Sequence, residues 1–291
     1  MSLEVGKSPE RSASLRPWLS LSQEERDAAY DVNLAVSNSA DLIEKRNTMS
    51  SAFRARHARN LDIPYVPNSD RCAFDLYPAK DPNAPCLVFI HGGWWQRNGR
   101  ENFACCARGL AASGWSVAMP GYTLAPNASL TEIVLEIGLA LDWLAENGPS
   151  YRIKGPIVIS GWSAGAHLAS LYLPHPAVAA SLLIAGAYDL SRFQHTKFND
   201  AVRLKNPEIS LLSPLRQTPE AKPVAIAVGT SEVPLLIEDS VALHQHRQLS
   251  GVPSDFVAVK DANHFTILNE LVSDQGLLVT AAKRLIGALN R

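Results

Sequence analysis

Three side-chain types from distant parts of this chain could together perform nucleophilic chemistry: a serine, a histidine and a carboxylate. The serine stands in PIVISGWSAGAHLASL, where an apolar run from Ile157 to Ser160 leads into Gly161-Trp162-Ser163-Ala164-Gly165 and then into a helical pattern. A buried strand that turns sharply into a helix at GxSxG forms a nucleophile elbow and presents the Ser163 hydroxyl above a sheet edge. Gly161 and Gly165 leave room where strand and helix approach closely. GxSxG alone is weak, and the bland reading is a glycine-rich turn with an inert serine; the strand before it and the helix after it favour the elbow.

A serine hydroxyl is a poor nucleophile at neutral pH and needs a base to take its proton during attack. On sheets that carry such elbows the chain order is serine, acid, histidine, with the histidine after the last strand. His264 meets that requirement, in the loop DANH after the apolar run Phe256 to Val259. His167, His175 and His195 come too early, and His244 and His246 fall inside a helical pattern. The acid should end the preceding strand, Val224 to Val228, so that it reaches the far ring nitrogen of the histidine. Glu232 in GTSEVP is the first carboxylate there, with Asp239 as the alternative; Glu238 and Asp239 lie within the next helix. Asp189 is one strand too early and is expected to order a loop.

Acyl transfer creates an oxyanion, which calls for preorganised backbone N–H donors. HGGWW (91–95) follows the strand Cys86 to Ile90 and its glycines let the backbone come close to a substrate oxygen, while Ala164, next after the nucleophile, supplies another N–H. Trp94, Trp95 and Trp162 offer walls for an aromatic acyl or leaving-group pocket, or simple packing. Metal-ligand spacing is missing, since Asp261 to Phe265 (DxxHF) is too sparse to hold an ion alone, and no GxGxxG or Walker loop appears. No cofactor is expected.

These residues need a scaffold. From Leu61 onward short apolar segments alternate with helical ones: Ile63 to Val66, Cys72 to Tyr77, Cys86 to Ile90, Ser116 to Met119, Ile157 to Ser160, Ser181 to Ala185, Val224 to Val228 and Phe256 to Val259. Their near-continuous Val, Ile, Leu and Ala content suits buried parallel strands. Between them, Ile133, Ile137, Leu141 and Leu144 recur at helical spacing behind a Ser129/Glu132 capping box, and Leu278, Ala282, Leu285 and Leu289 give the last helix a stripe. The expectation is an α/β fold with a mostly parallel eight-stranded sheet flanked by helices. Residues 1–60 read as an N-terminal helical arm, with a Ser22/Glu25 capping box and a second helix from about Ala40 to Arg59. Residues 61–291 read as the catalytic domain, with a polar, proline-rich lid at about 191–222 and a shorter interruption from Pro120 to Asn127.

The 291 residues are 46% hydrophobic and 19% charged, enough for one sizeable core. Net charge is −1, so no broad positive field attracts nucleic acid or an anionic membrane; the cluster Arg54, Arg56, His57 and Arg59 reads as a solvated helix face or loop. The polar start MSLEVGKSPERSAS lacks a signal-peptide apolar stretch, no run is long enough to span a bilayer, and Cys72, Cys86, Cys105 and Cys106 show no CxxC spacing. A cytoplasmic protein with buried free thiols is expected.

HGGWW, GWSAGAHL and ANHF together resemble the kynurenine formamidase (arylformamidase) branch of the α/β-hydrolases, related to the hormone-sensitive-lipase-like esterases, over about Gln23 to the C-terminus. The resemblance implies the α/β-hydrolase fold, oxyanion N–H groups on Gly93 and Trp94, an acid-bearing loop from Glu232 through Pro234 to Ser240, and an arm that partly covers the site. GYTLAP (121–126) is similar to the family's YRLAP, with Thr123 in place of arginine. Trp162 stands where the family commonly has histidine, and Glu232 where it usually has aspartate. Both departures bear on pocket and base rather than on the reaction class.

The expected function is cleavage of an ester or aryl-formamide bond through an acyl-enzyme, arylformamidase-like, with a general short-chain carboxylesterase as the alternative. A non-catalytic binding protein on a hydrolase scaffold would need a broken triad or a blocked oxyanion loop, and neither is visible. Carbon–carbon cleavage would use the same triad and stays open. The expected partner is a small ester or formamide, without nucleic acid or membrane; a homodimer stays open.

Overall fold

Alternation along each strand decides where its side chains go, because successive residues face opposite sides of a sheet. The computed structural model describes residues 15–252 and 254–289; the polar stretch 1–14 lies outside them. Eight strands form one sheet: β1 (Ile63–Pro64), β2 (Ala73–Tyr77), β3 (Cys86–Ile90), β4 (Ser116–Pro120), β5 (Ile157–Trp162), β6 (Val178–Ile184), β7 (Val224–Gly229) and β8 (Asp255–Val259). Their order is β1-β2-β4-β3-β5-β6-β7-β8. β1/β2 and β2/β4 pair antiparallel, and every other pair is parallel.

Both sheet faces are covered. Val88, Ile90, Ile157, Ile159, Leu183 and Ile226 pack with Ile133, Ile137, Leu141, Leu168 and Leu236, from helices Leu130–Asn147, Ala164–Leu171 and Pro234–Leu249. Leu87, Phe89, Val158, Leu182, Ile184 and Ala227 face the other way, against Phe103 and Leu110 from the segment 100–112 and Leu278, Ala282 and Leu285 from helix Leu277–Leu289. Two-sided burial is what makes these strands read as unbroken apolar runs.

Both expected capping boxes form. Ser22 Oγ accepts from the Glu25 amide and Ser129 Oγ from the Glu132 amide, and each glutamate accepts in return from the backbone N–H of its serine. The arm comprises helices Leu15–Ser20, Gln23–Tyr30, Val32–Ala35 and Ser39–Arg56. Within 191–222 lie short helical turns, including Phe193–His195 and Asn206–Leu212. His195 O accepts from Gln23 Nε2 and Arg26 Nε, which ties the arm to that segment. No helix among the described residues is long and apolar enough to cross a membrane.

Several boundaries differ from the sequence reading. β1 stops at Pro64, because the amides of Tyr65 and Val66 both turn onto Cys72 O instead of continuing the ladder. β8 is not covered on both faces: it is an edge strand, and Asp255, Phe256 and Ala258 are exposed. Leu289 also leaves the expected stripe, being exposed past the end of the core.

The basic cluster is corrected at Arg54. Arg56, His57 and Arg59 are exposed, but Arg54 Nε donates to Asp75 Oδ2 at 2.7 Å, and Arg100 Nε donates to Asp75 Oδ1 at 3.2 Å. Asp75 on β2 is 0% exposed. A carboxylate buried in a strand must be paired, so two arginines converge on it and fasten the long arm helix to the sheet edge. Asp75→Ala leaves those guanidinium groups only the exposed Asp62 as a shared partner and is expected to lower unfolding stability by about 3 kcal/mol, measured by urea denaturation. A loss well under 1 kcal/mol would show that the pairs are dispensable.

Candidate active site

The turn after β5 carries Ser163 with φ 58° and ψ −122°, a backbone region that non-glycine residues avoid. Such strain costs roughly 1–3 kcal/mol and persists only where the surroundings hold it. Here the Ser163 amide donates to Ile184 O at 2.9 Å, and Ser163 O accepts from the Ala166 amide at 2.9 Å. A Cβ at Gly165 would sit 2.0 Å from Ile90 O, so glycine is what lets the helix Ala164–Leu171 start directly against β3.

The loop after β3 closes onto this turn from the side. A Cβ at Gly92 would meet Trp162 O at 2.5 Å and Ser163 Cβ at 2.8 Å, which brings HGGWW into direct contact with the nucleophile position. Gly93, Trp94 and Trp95 all have positive φ, at 126°, 52° and 57°. The loop carbonyls are occupied: Gly92 O accepts from Asn98 Nδ2 at 3.1 Å, Gly93 O from the Gln96 and Arg97 amides, and Trp95 O from the Ala125 amide. Among the described residues, none accepts a hydrogen bond from the amides of Gly93, Trp94 or Ala164. Unengaged amides of this kind are what an oxyanion site requires.

Glu232 and His264 come from the ends of β7 and β8, and the two loops are stitched together. Ser231 N donates to Ala262 O, Thr230 N to Val259 O, and Asp261 N to Thr230 Oγ1. Glu232 Oε1 accepts from the Val233 amide at 2.8 Å, and Oε2 lies 2.7 Å from His264 Nδ1. An ionised carboxylate only accepts, so a hydrogen bond from the ring to such a group places a proton on Nδ1. Ser163 and His264 are 3% and 2% exposed. The residue before Ser163 links the two: Trp162 Nε1 donates to His264 O at 2.8 Å, and the Trp162 ring lies 4.5 Å from the imidazole.

Trp94, Trp95 and Trp162, read from the sequence as pocket walls or as packing, are all buried. Trp162 packs between Phe103 and His264, and Trp95 between His167 and Phe193. Trp94 contacts Tyr30 of the arm together with Phe193 and Phe198. Asp239, the alternative acid, is turned elsewhere: its Oδ2 accepts from the amides of Tyr188 at 2.6 Å and Asp189 at 3.2 Å. Asp189 in turn orders its own loop by accepting from the Ser191 amide.

His91 is a structural member that sequence reasoning passed over. It stacks on Tyr122 at 4.3 Å, and burial lowers its pKa to about 3, so the ring is neutral. Its Nδ1 pairs with Gly92 O at 3.0 Å, and its own carbonyl accepts from Tyr122 Oη at 2.9 Å. The histidine that opens HGG was the available signal; Tyr122 and Phe193 reach the loop from separate segments, whereas Asn98 lies at its own far end.

The strand order, the strained serine after β5, the acid after β7 and the histidine after β8 define an α/β-hydrolase. The BD-FAE family model matches residues 74–182. Over 93% of this chain and 98% of the relative, the sequence is 24% identical to a kynurenine formamidase from Danio rerio. A solved structure provisionally described as a thioesterase, from Silicibacter sp. tm1040, is 26% identical with a TM-score of 0.80, covering 89% of this chain and 99% of that one. Esterase B from Lactobacillus rhamnosis shares the fold at 17% identity and a TM-score of 0.66, over 88% and 96% of the two chains. The chain is thus a hydrolase whose likeness lies with kynurenine formamidases and esterases.

Asp239 supplies a pH test of the scaffold. Burial pushes its pKa up from 3.8 to about 7, against the two amides that lower it. Between those values the folded state binds more protons than the unfolded state, so this group's contribution to stability falls as pH rises from about 4 to 7. Asp239→Asn keeps an oxygen for both amides and removes the charge. Melting curves at pH 5 and pH 8 should show a smaller drop for the variant than for the natural protein; equal drops would count against the shift.

Proposed function

We propose that this chain is a serine hydrolase that cleaves a carboxylic ester or aryl-formamide bond through an acyl-enzyme. The observation that carries the reading is the buried Glu232 Oε2 to His264 Nδ1 contact of 2.7 Å, with the imidazole 4.5 Å from the ring of Trp162, the residue before the strained Ser163. Ser163 Oγ attacks the substrate carbonyl while His264 Nε2 takes its proton, and Glu232 stabilises the resulting imidazolium. The oxyanion is held by the amides of Gly93, Trp94 and Ala164, each worth about 3–4 kcal/mol if the usual cost of losing one donor applies. His264 returns the proton to the departing alcohol or amine. Water then attacks the acyl-serine, with His264 again as base, and the acid leaves. The chemistry calls on no cofactor or metal.

Ser163→Ala is expected to abolish turnover of a short p-nitrophenyl ester and labelling by a fluorophosphonate, and undiminished turnover by that variant would falsify the mechanism. Glu232→Gln keeps the shape but loses the charge behind the base; its kcat should fall by roughly 10³–10⁴.

The arylformamidase-like reading draws support from the Danio rerio relative, which aligns with nearly the whole chain. A general short-chain carboxylesterase is the second reading, favoured by the esterase likeness of the fold. Ratios of kcat/KM for N-formylkynurenine against short p-nitrophenyl esters separate them: a comparable or larger formamide value supports the first, and a negligible one removes it.

A further inference from the structure

A second cavity lies away from Ser163, toward the far end of the helix that begins at Ala164. Its volume is about 330 Å³, at the lower end of sites that hold small organic ligands. Ser181 and Leu183 of β6 form its floor, Leu212 its roof, and Leu243 and Arg247, one turn apart on the helix Pro234–Leu249, its side. None of these residues has a part in the proposed hydrolysis.

The lining is largely hydrocarbon; of its polar members Ser181 and Arg247 are buried, while Ser170, Tyr172, Gln217, Thr218, Glu220 and His246 are more exposed. Ser181 is 0% exposed and its Oγ has no hydrogen-bond partner among the described residues, a rare condition for a hydroxyl in a protein interior. Arg247 is buried as well, with Nη2 donating to Lys222 O at 2.9 Å. Burial draws its pKa down to about 10 against the opposing influence of Glu220, so the guanidinium is charged at neutral pH. Glu220 is half-buried among the same lining residues.

A hydroxyl donor and a guanidinium in an aliphatic chamber suit an anionic acceptor on an apolar body. Beside the buried Ser181 an ammonium group would meet a like charge at Arg247 and could pair only with the half-buried Glu220, and an alcohol would satisfy Ser181 alone. We propose that this cavity binds a carboxylate carried on a short hydrocarbon chain, with the carboxylate at Ser181 and Arg247 and the chain against Leu183, Leu212 and Leu243. The proposal holds whether or not Ser163 is a nucleophile.

Titration calorimetry on the full-length protein tests it, with octanoate as probe and 1-octanol and octylamine as its neutral and cationic counterparts. Octanoate should bind at one site per chain, and each counterpart about ten-fold or more weaker. Arg247→Gln and Ser181→Val should each weaken octanoate by about ten-fold or more, and Leu183→Phe, which fills the chamber, should remove the binding. Melting curves establish that each variant is folded, and any one of the three keeps the test usable if another is not. Absence of saturable binding at millimolar octanoate overturns the proposal. So does binding that survives the folded variants, which places the acid elsewhere, or equal affinity for octanol, which removes the carboxylate's role.

Discussion

The site depends on one close approach: the loop after β3 and the turn after β5 meet where there is no room for a side-chain carbon. Gly92 lies against Ser163 and Trp162, and Gly165 lies against Ile90 O. That contact makes the serine's unfavourable backbone tolerable, because strand, loop and helix are all anchored in the sheet before they reach it. The amides of Gly93, Trp94 and Ala164 are left without an acceptor among the described residues, while carbonyls of the same loop are taken up by Asn98 Nδ2 and the amides of Gln96 and Ala125.

The acid and base are arranged by a different device. β7 and β8 are neighbours, and their loops share hydrogen bonds through Thr230, Ser231 and Ala262. Glu232 therefore reaches His264 with one carboxylate oxygen held by the Val233 amide and the other given to the ring. Trp162 joins the two devices, with its indole N–H on the histidine's carbonyl and its neighbour along the chain being Ser163. Trp162 thus braces His264, which its residue type alone did not announce.

What could be read from the sequence was carried locally. GWSAG, HGG and DANH each combine a strand ending with a turn, and period and burial made the strands visible before any contact was known. Glu232 was separable from Asp239 because a strand end is a local property, and the structure turns Asp239 toward Tyr188 and Asp189. What escaped depends on segments remote from one another. The Arg54–Asp75–Arg100 pairing spans the arm, β2 and the loop after β3, although an aspartate in the apolar run AFDLY was a clue that some cation had to come to it. The aromatic cluster of Tyr30, Trp94 and Phe193 likewise draws on three unconnected stretches. The shortened β1 and the exposed β8 follow from edge position, which apolar content does not encode.

The exposure of β8 bears on how this molecule fails. Ser163 is rooted at the middle of the sheet, whereas His264 hangs from a border strand that has a single neighbour and whose Phe256 is 36% exposed. Borders detach at lower free energy than centres. Peeling of that border would carry the imidazole away while the interior persisted, so heat would silence the molecule before it melted, and cooling would restore it without complete refolding.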